Sequence, residues 1–101
     1  MEVIILPIVE KFINNLEKGL QAESFNLIEL LGTDGNTITM PYSKALGGGL
    51  FELRGRNKSQ VRYFYIFKYG GAVILHGYIK KSQKIPRPEL ELARARKQSL
   101  T

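Results

Sequence analysis

Apolar residues change their spacing along this chain, and the changes mark its elements. Val3, Ile4, Ile5 and Leu6 form a short β-branched run before Pro7, which predicts a first strand. From Ile8 the period lengthens. Ile8, Val9, Phe12, Ile13 and Leu16 recur at intervals of three and four, one face of a helix. Lys18-Gly19 predicts its stop, with glycine suited to a C-terminal cap. Leu20, Phe25, Leu27, Ile28 and Leu31 predict a second helix ending at Gly32, so the two form a helical hairpin. Thr33 to Asn36 reads as a loop. Thr37 to Tyr42 is ambiguous, and Pro41 argues against a central strand there.

The second half follows a strand period. Gly47-Gly48-Gly49 reads as a turn, because a phosphate-wrapping loop needs a helix after it and Leu50 to Arg54 reads as a strand. Asn57-Lys58-Ser59 predicts the next turn, Val61 to Lys68 a second strand, Tyr69-Gly70-Gly71 a turn and Ala72 to Ile79 a third strand. Short links favour an antiparallel meander. Pro86 and Pro88 open a final helix with Leu90, Leu92, Ala93 and Leu100 as its apolar positions. The expected architecture is α+β over one domain, residues 1–101: short N-terminal strand, helical hairpin, three-stranded meander, C-terminal helix.

Strict alternation in the second strand places Arg62, Phe64, Ile66 and Lys68 on one face. In the third it sets Val73 and Leu75 opposite His76 and Tyr78. An arginine inside so apolar a strand must meet a carboxylate or line an open groove. Tyr63, Tyr65 and Tyr78 are either core aromatics with hydroxyls at a rim or platforms for stacked bases. His76 is either a structural imidazole or a proton-transfer group.

Composition narrows the chemistry. The 101 residues hold 44% hydrophobic side chains, enough for a core, and no cysteine, which removes disulfides, thiolate nucleophiles and thiolate-bound zinc. A single histidine excludes histidine clusters as metal ligands, and no carboxylate grouping suggests a metal site. No apolar run is long enough to span a membrane, and Glu2 follows Met1 where a signal peptide would be basic, so the expected location is cytoplasmic.

The net charge of +6 is unevenly distributed. Residues 1–49 carry three basic against six acidic side chains, while residues 50–101 carry twelve against three. This split is compatible with a solvated surface, and also with a basic face for a polyanion such as RNA or DNA. The densest cluster, Lys80, Lys81, Lys84 and Arg87, follows the third meander strand. Arg54 ends the first meander strand and Arg56 lies in the loop after it.

The stretches GLFELR (Gly49 to Arg54), VRYFYIF (Val61 to Phe67) and VILHGYIKKSQKIPRPELELARAR (Val73 to Arg96) resemble the HigB-like, phage-protein-related branch of the RelE/ParE toxin superfamily. The resemblance runs from about Pro41 to Thr101. It implies the toxin of a type II toxin–antitoxin pair, with an antiparallel sheet curved around helices. It implies an endoribonuclease that cuts mRNA on the ribosome without metal or cofactor, the substrate's 2′-hydroxyl attacking the adjacent phosphate. The implied partner is a helix-turn-helix antitoxin. Carried over residue by residue, Arg62 would contact the scissile phosphate, with Lys81 as the basic catalytic residue after the last strand and His76 as the available proton-transfer group. Arg54, Arg56, Lys80, Lys84 and Arg87 would bind RNA. Where RelE has lysines on the first meander strand, this chain has Leu50 and Glu52, and after Tyr78 no tyrosine remains. The competing classes are a ParE-type gyrase poison without nuclease activity and a non-catalytic nucleic-acid-binding module.

Overall fold

The computed structural model describes residues 1–55 and 60–100. Their order is β1 (Val3–Ile5), α1 (Pro7–Asn14), α2 (Lys18–Asp34), a 3-10 turn at Gly35–Thr37, β2 (Ser43–Gly47), β3 (Leu50–Arg54), β4 (Val61–Lys68), β5 (Gly71–Ile79) and α3 (Arg87–Ser99). The expected α+β order holds, and the sheet is larger than the expected meander. Its five strands run β1-β5-β4-β3-β2, with β1 parallel to β5 and the other neighbours antiparallel. β2 escapes a hydrophobic pattern because it is an edge strand: Lys44 and Ala45 are exposed, and Ser43 is its buried position.

The helical boundary also moves. α1 ends at Asn14, and Lys18-Gly19 begins α2 instead of stopping α1. Glu17 explains the shift. Its backbone is extended and its carboxylate accepts the Leu20 N–H at 2.9 Å, which caps α2 at its start. Gly19 therefore sits in a first turn rather than at a C-cap.

Two turns behave as the glycines predict. Gly48 and Gly49 have φ of +62° and +80° and link the paired residues Gly47 and Leu50. Tyr69 and Gly70, at +58° and +71°, link Lys68 and Gly71. Two positive φ values in a two-residue loop match the twist of a β-hairpin. The turn expected at Asn57-Lys58-Ser59 lies outside the described residues.

Opposite faces of the sheet are covered by different helices. α1 and α2 pack on Leu53, Val61, Tyr63, Tyr65 and Ile74 through Val9, Ile13, Leu27 and Leu31. α3 packs through Ala93 on the face that holds Leu50, Phe64, Ile66, Val73 and Leu75. A β-bulge corrects the expected alternation in β5. Phe64 pairs with His76, but Tyr65 pairs with Ile74, so Leu75 is the extra residue. Val73 and Leu75 consequently share the α3 face with His76 and Tyr78.

Candidate functional site

α3 covers the apolar part of its face and leaves a polar end. Strand register builds that end in rows. Arg54, Arg62 and Tyr78 are aligned across β3, β4 and β5. The row behind is Lys44, Glu52, Phe64 and His76. Neighbours in such a row have Cβ atoms about 5 Å apart, so register alone brings Arg54 and Arg62 beside one another. Pairing continues past β5: the Lys80 N–H donates to Gln60 O at 2.6 Å. Lys80 thus sits at the same end of the sheet, half-buried, while Lys81, Lys84 and Arg87 are exposed on the connection into α3 and at its first residue. The candidate Arg56 lies outside the described residues.

Arg62 is half-buried, and its Nη1 donates to Val61 O at 3.1 Å. Arg54 is more committed. Its Nε donates to Pro41 O and its Nη2 to Met40 Sδ, both at 3.0 Å, and its Nη1 lies 3.9 Å from Glu52 Oε1. It ties the irregular segment before β2 to the sheet. Arg87 faces Glu91 one turn on, at 3.4 Å and in solvent.

Glu52, 1% exposed, is the acid at the centre of this end. It accepts the Tyr78 hydroxyl at 3.4 Å. Burial first, and then the Glu52 charge, push the Tyr78 phenol well above 10, so the hydroxyl is neutral and a donor. Tyr63, Tyr65 and Tyr78 are all core aromatics, at 0, 0 and 5% exposure, which leaves no ring face for a stacked base. Tyr63 donates to Ser24 Oγ and Tyr65 shares a hydrogen bond with Ser43 Oγ, both at 2.6 Å.

His76 is held by two residues of α3. Nε2 lies 3.2 Å from Glu89 Oε1, and Nδ1 lies 2.9 Å from Arg96 Nη1. A guanidinium can only donate, so Nδ1 accepts and the neutral ring carries its proton on Nε2, aimed at Glu89. Burial lowers the imidazole below its usual 6.5, with Glu89 opposing the shift and Arg96 adding to it. Both ring nitrogens are thus occupied, and the lone pair a general base would use already faces Arg96. The arrangement suits His76 to holding α3 in place. Glu89 and Arg96 were not singled out by the sequence reading. Their signal is spacing: Glu89, Ala93 and Arg96 at i, i+4 and i+7 put two opposite charges around a small residue on one helix face.

The cations the sequence singled out therefore divide. Arg54, Arg62 and Lys80 gather at one end of the sheet, Lys81 and Lys84 lie on the connection that follows, and His76 sits one row behind, under α3. No helix among the described residues is long and apolar enough to cross a membrane. No curated protein matches the chain. The family model for phage derived protein Gp49-like matches residues 11–98. That match takes in the second half of α1, all of α2, the four antiparallel strands and nearly all of α3, and the chain belongs to the Gp49-like family of phage-derived proteins.

Proposed function

We propose that the protein is the toxin of a type II toxin–antitoxin pair and acts as a ribosome-dependent mRNA endoribonuclease. The observation that carries this reading is the Arg54–Arg62–Tyr78 row at the open end of the sheet, continued by Lys80 and Lys81. Membership of a phage-derived family is compatible with that class. The partners that go with it are the ribosome with its mRNA and a helix-turn-helix antitoxin.

In the proposed reaction the ribose 2′-oxygen attacks the adjacent phosphorus and the bond from phosphorus to the 5′-oxygen breaks. The 2′-hydroxyl gives up its proton and the departing 5′-oxygen gains one. The ends formed are a 2′,3′-cyclic phosphate and a 5′-hydroxyl. Negative charge grows on the non-bridging oxygens, and fixed cations placed there lower the barrier. Arg62 supplies the planar fork that matches two such oxygens. Lys81 supplies a second, mobile charge from the connection. Side chains provide all of this charge, so the reading calls for no metal. Lys84 and Arg87 would hold flanking phosphates, and Arg54 would position the row through Glu52 and the segment at Met40–Pro41. His76 would act through α3, by fixing where the 80–86 connection begins and ends.

The test is induced expression in a bacterial host with mapping of new 5′ ends on cellular transcripts. Wild-type protein should arrest growth and leave cuts inside translated messages. Arg62→Ala should lose both while keeping its circular dichroism and melting temperature. A folded Arg62→Ala protein that still cuts mRNA would remove Arg62 from the reaction. Intact messages with a DNA-damage response would instead indicate a gyrase poison. Salt-dependent RNA binding with no growth effect would indicate a plain binding module.

A further inference from the structure

A second recess lies behind the Arg54–Arg62–Tyr78 row, beside His76. β1 pairs with β5 only as far as Ile74, and the Leu6 N–H closes that edge by donating to Ile74 O at 3.3 Å. Beyond this point α1 passes on one side of β5 and α3 on the other. Between them is a cleft of about 210 Å³ lined by Ile8, Val9, Phe12, His76, Gly77 and Arg96. Its lining is mostly apolar. Ile8 is 54% exposed at the lip. Leu92, one helical turn before Arg96 on the same flank of α3, is 40% exposed.

The cleft has one cation. Arg96 uses Nη1 twice, on Leu75 O and on His76 Nδ1, both at 2.9 Å. Among the described residues its Nε and Nη2 meet no acceptor, and no carboxylate lies within ion-pair distance. A half-buried guanidinium beside apolar walls is most stable when a carboxylate takes its remaining donors.

We propose that this cleft docks a protein partner through a segment that carries an aliphatic side chain next to a carboxylate. The aliphatic group fills the space beside Ile8 above Phe12 and Gly77. The carboxylate pairs with the open edge of Arg96. The apolar floor favours a peptide over a hydrated phosphodiester, and the cleft lies off the Arg54–Arg62–Tyr78 row. The inference goes beyond the RNA-cleavage reading and does not depend on it.

The experiment selects a displayed random-peptide library against the full chain. Recovered peptides should share an aliphatic residue within two positions of Asp, Glu or a free C-terminus. A synthetic copy should bind at least about tenfold more weakly to Ile8→Glu and to Arg96→Gln. Replacing its carboxylate with the carboxamide should cost a similar factor, and binding should shift the methyl resonances of Ile8 and Val9. Ile8→Glu keeps the test independent of the His76 contact, because Ile8 is exposed at the lip and His76 is held by Glu89 and Arg96. Recovery of no such motif, or binding indifferent to Ile8→Glu, overturns the proposal. So does an oligoribonucleotide that moves the same methyls and displaces the peptide. Ile8→Glu should still cut mRNA if the proposed function holds, so loss of docking and loss of cleavage are separable.

Discussion

Tyr63 and Tyr78 are diagonal neighbours on β4 and β5 and point to opposite faces of the sheet. Both are buried and both have a hydroxyl that needs a partner. Tyr63 finds a neutral one: Ser24 Oγ accepts at 2.6 Å and itself donates to Leu20 O at 2.7 Å. Burial pushes its phenol up to about 12, so the chain of hydroxyls stays uncharged. Tyr78 finds a charged partner in Glu52, which in turn faces Arg54. The α1/α2 face thus closes its polar atoms inside the fold. The α3 face collects carboxylate, guanidinium and imidazole at one end. Perturbed charge gathered at one end marks it as a candidate site, and the proposed RNA partner would use its guanidiniums rather than the Glu52 carboxylate.

Truncation breaks this comparison most severely. Tyr63→Ala should destabilise the protein by about 3–5 kcal/mol, because it empties a fully buried ring site against Phe12. Denaturant melts measure it, and a loss near 1 kcal/mol would mean that this face is not the main core. Removing the hydroxyls alone separates the faces. Tyr63→Phe should cost about 1 kcal/mol, since Ser24 keeps its bond to Leu20. Tyr78→Phe should cost more, about 1–3 kcal/mol, because it deprives a buried carboxylate of a donor. The reverse order would end the distinction drawn here.

How much of this was readable beforehand follows from the physics of each element. The helical hairpin and the three meander strands show because their burial is one-sided or nearly complete, which leaves a period in the sequence. β2 leaves none, since an edge strand with exposed Lys44 and Ala45 buries too little. The face that Arg62 shares with Phe64 and Ile66 was readable from strand parity, whereas its alignment with Arg54 and Tyr78 was not, because parity within a strand does not fix register between strands. The place of Val73 and Leu75 was not, because one extra residue at Leu75 puts both on the face of His76 and no single-strand pattern reports a bulge. The partners of His76 and Tyr78 were hidden for another reason. Glu89, Arg96 and Glu52 reach them from other elements, and only the packed fold sets those distances.

The histidine gives a smaller effect with a definite sign. In the folded state the imidazole is held neutral below 6.5, while in the unfolded chain it takes up its proton near 6.5. The unfolded state therefore binds more protons as pH falls through that value, and stability declines. The contribution is complete above 6.5 and is lost progressively toward the lower folded value. Burial sets this direction; of the groups facing the ring, Glu89 attracts the imidazolium and limits the loss, while Arg96 repels it and adds to the loss. Melting temperatures at pH 7.5 and 5.5 should differ more for wild type than for His76→Gln. Equal differences would mean that the ring is not the group titrating in this range.

The smallest structural effect belongs to Arg87, and it isolates charge from packing. Its pair with Glu91 is largely exposed on both sides, so Arg87→Ala should leave the melting temperature unchanged. If Arg87 meets a phosphate, the same substitution should still weaken RNA binding about equally for every sequence tried. It should also lower the slope of log affinity against log salt by about one unit. Arg54→Ala should behave differently, because Arg54 also anchors Pro41, Met40 and Glu52: binding and melting temperature should fall together. A salt slope for Arg87→Ala unchanged from wild type would take α3's first residue out of the proposed interface and confine RNA contact to the end of the sheet, where Arg62 lies in register with Tyr78.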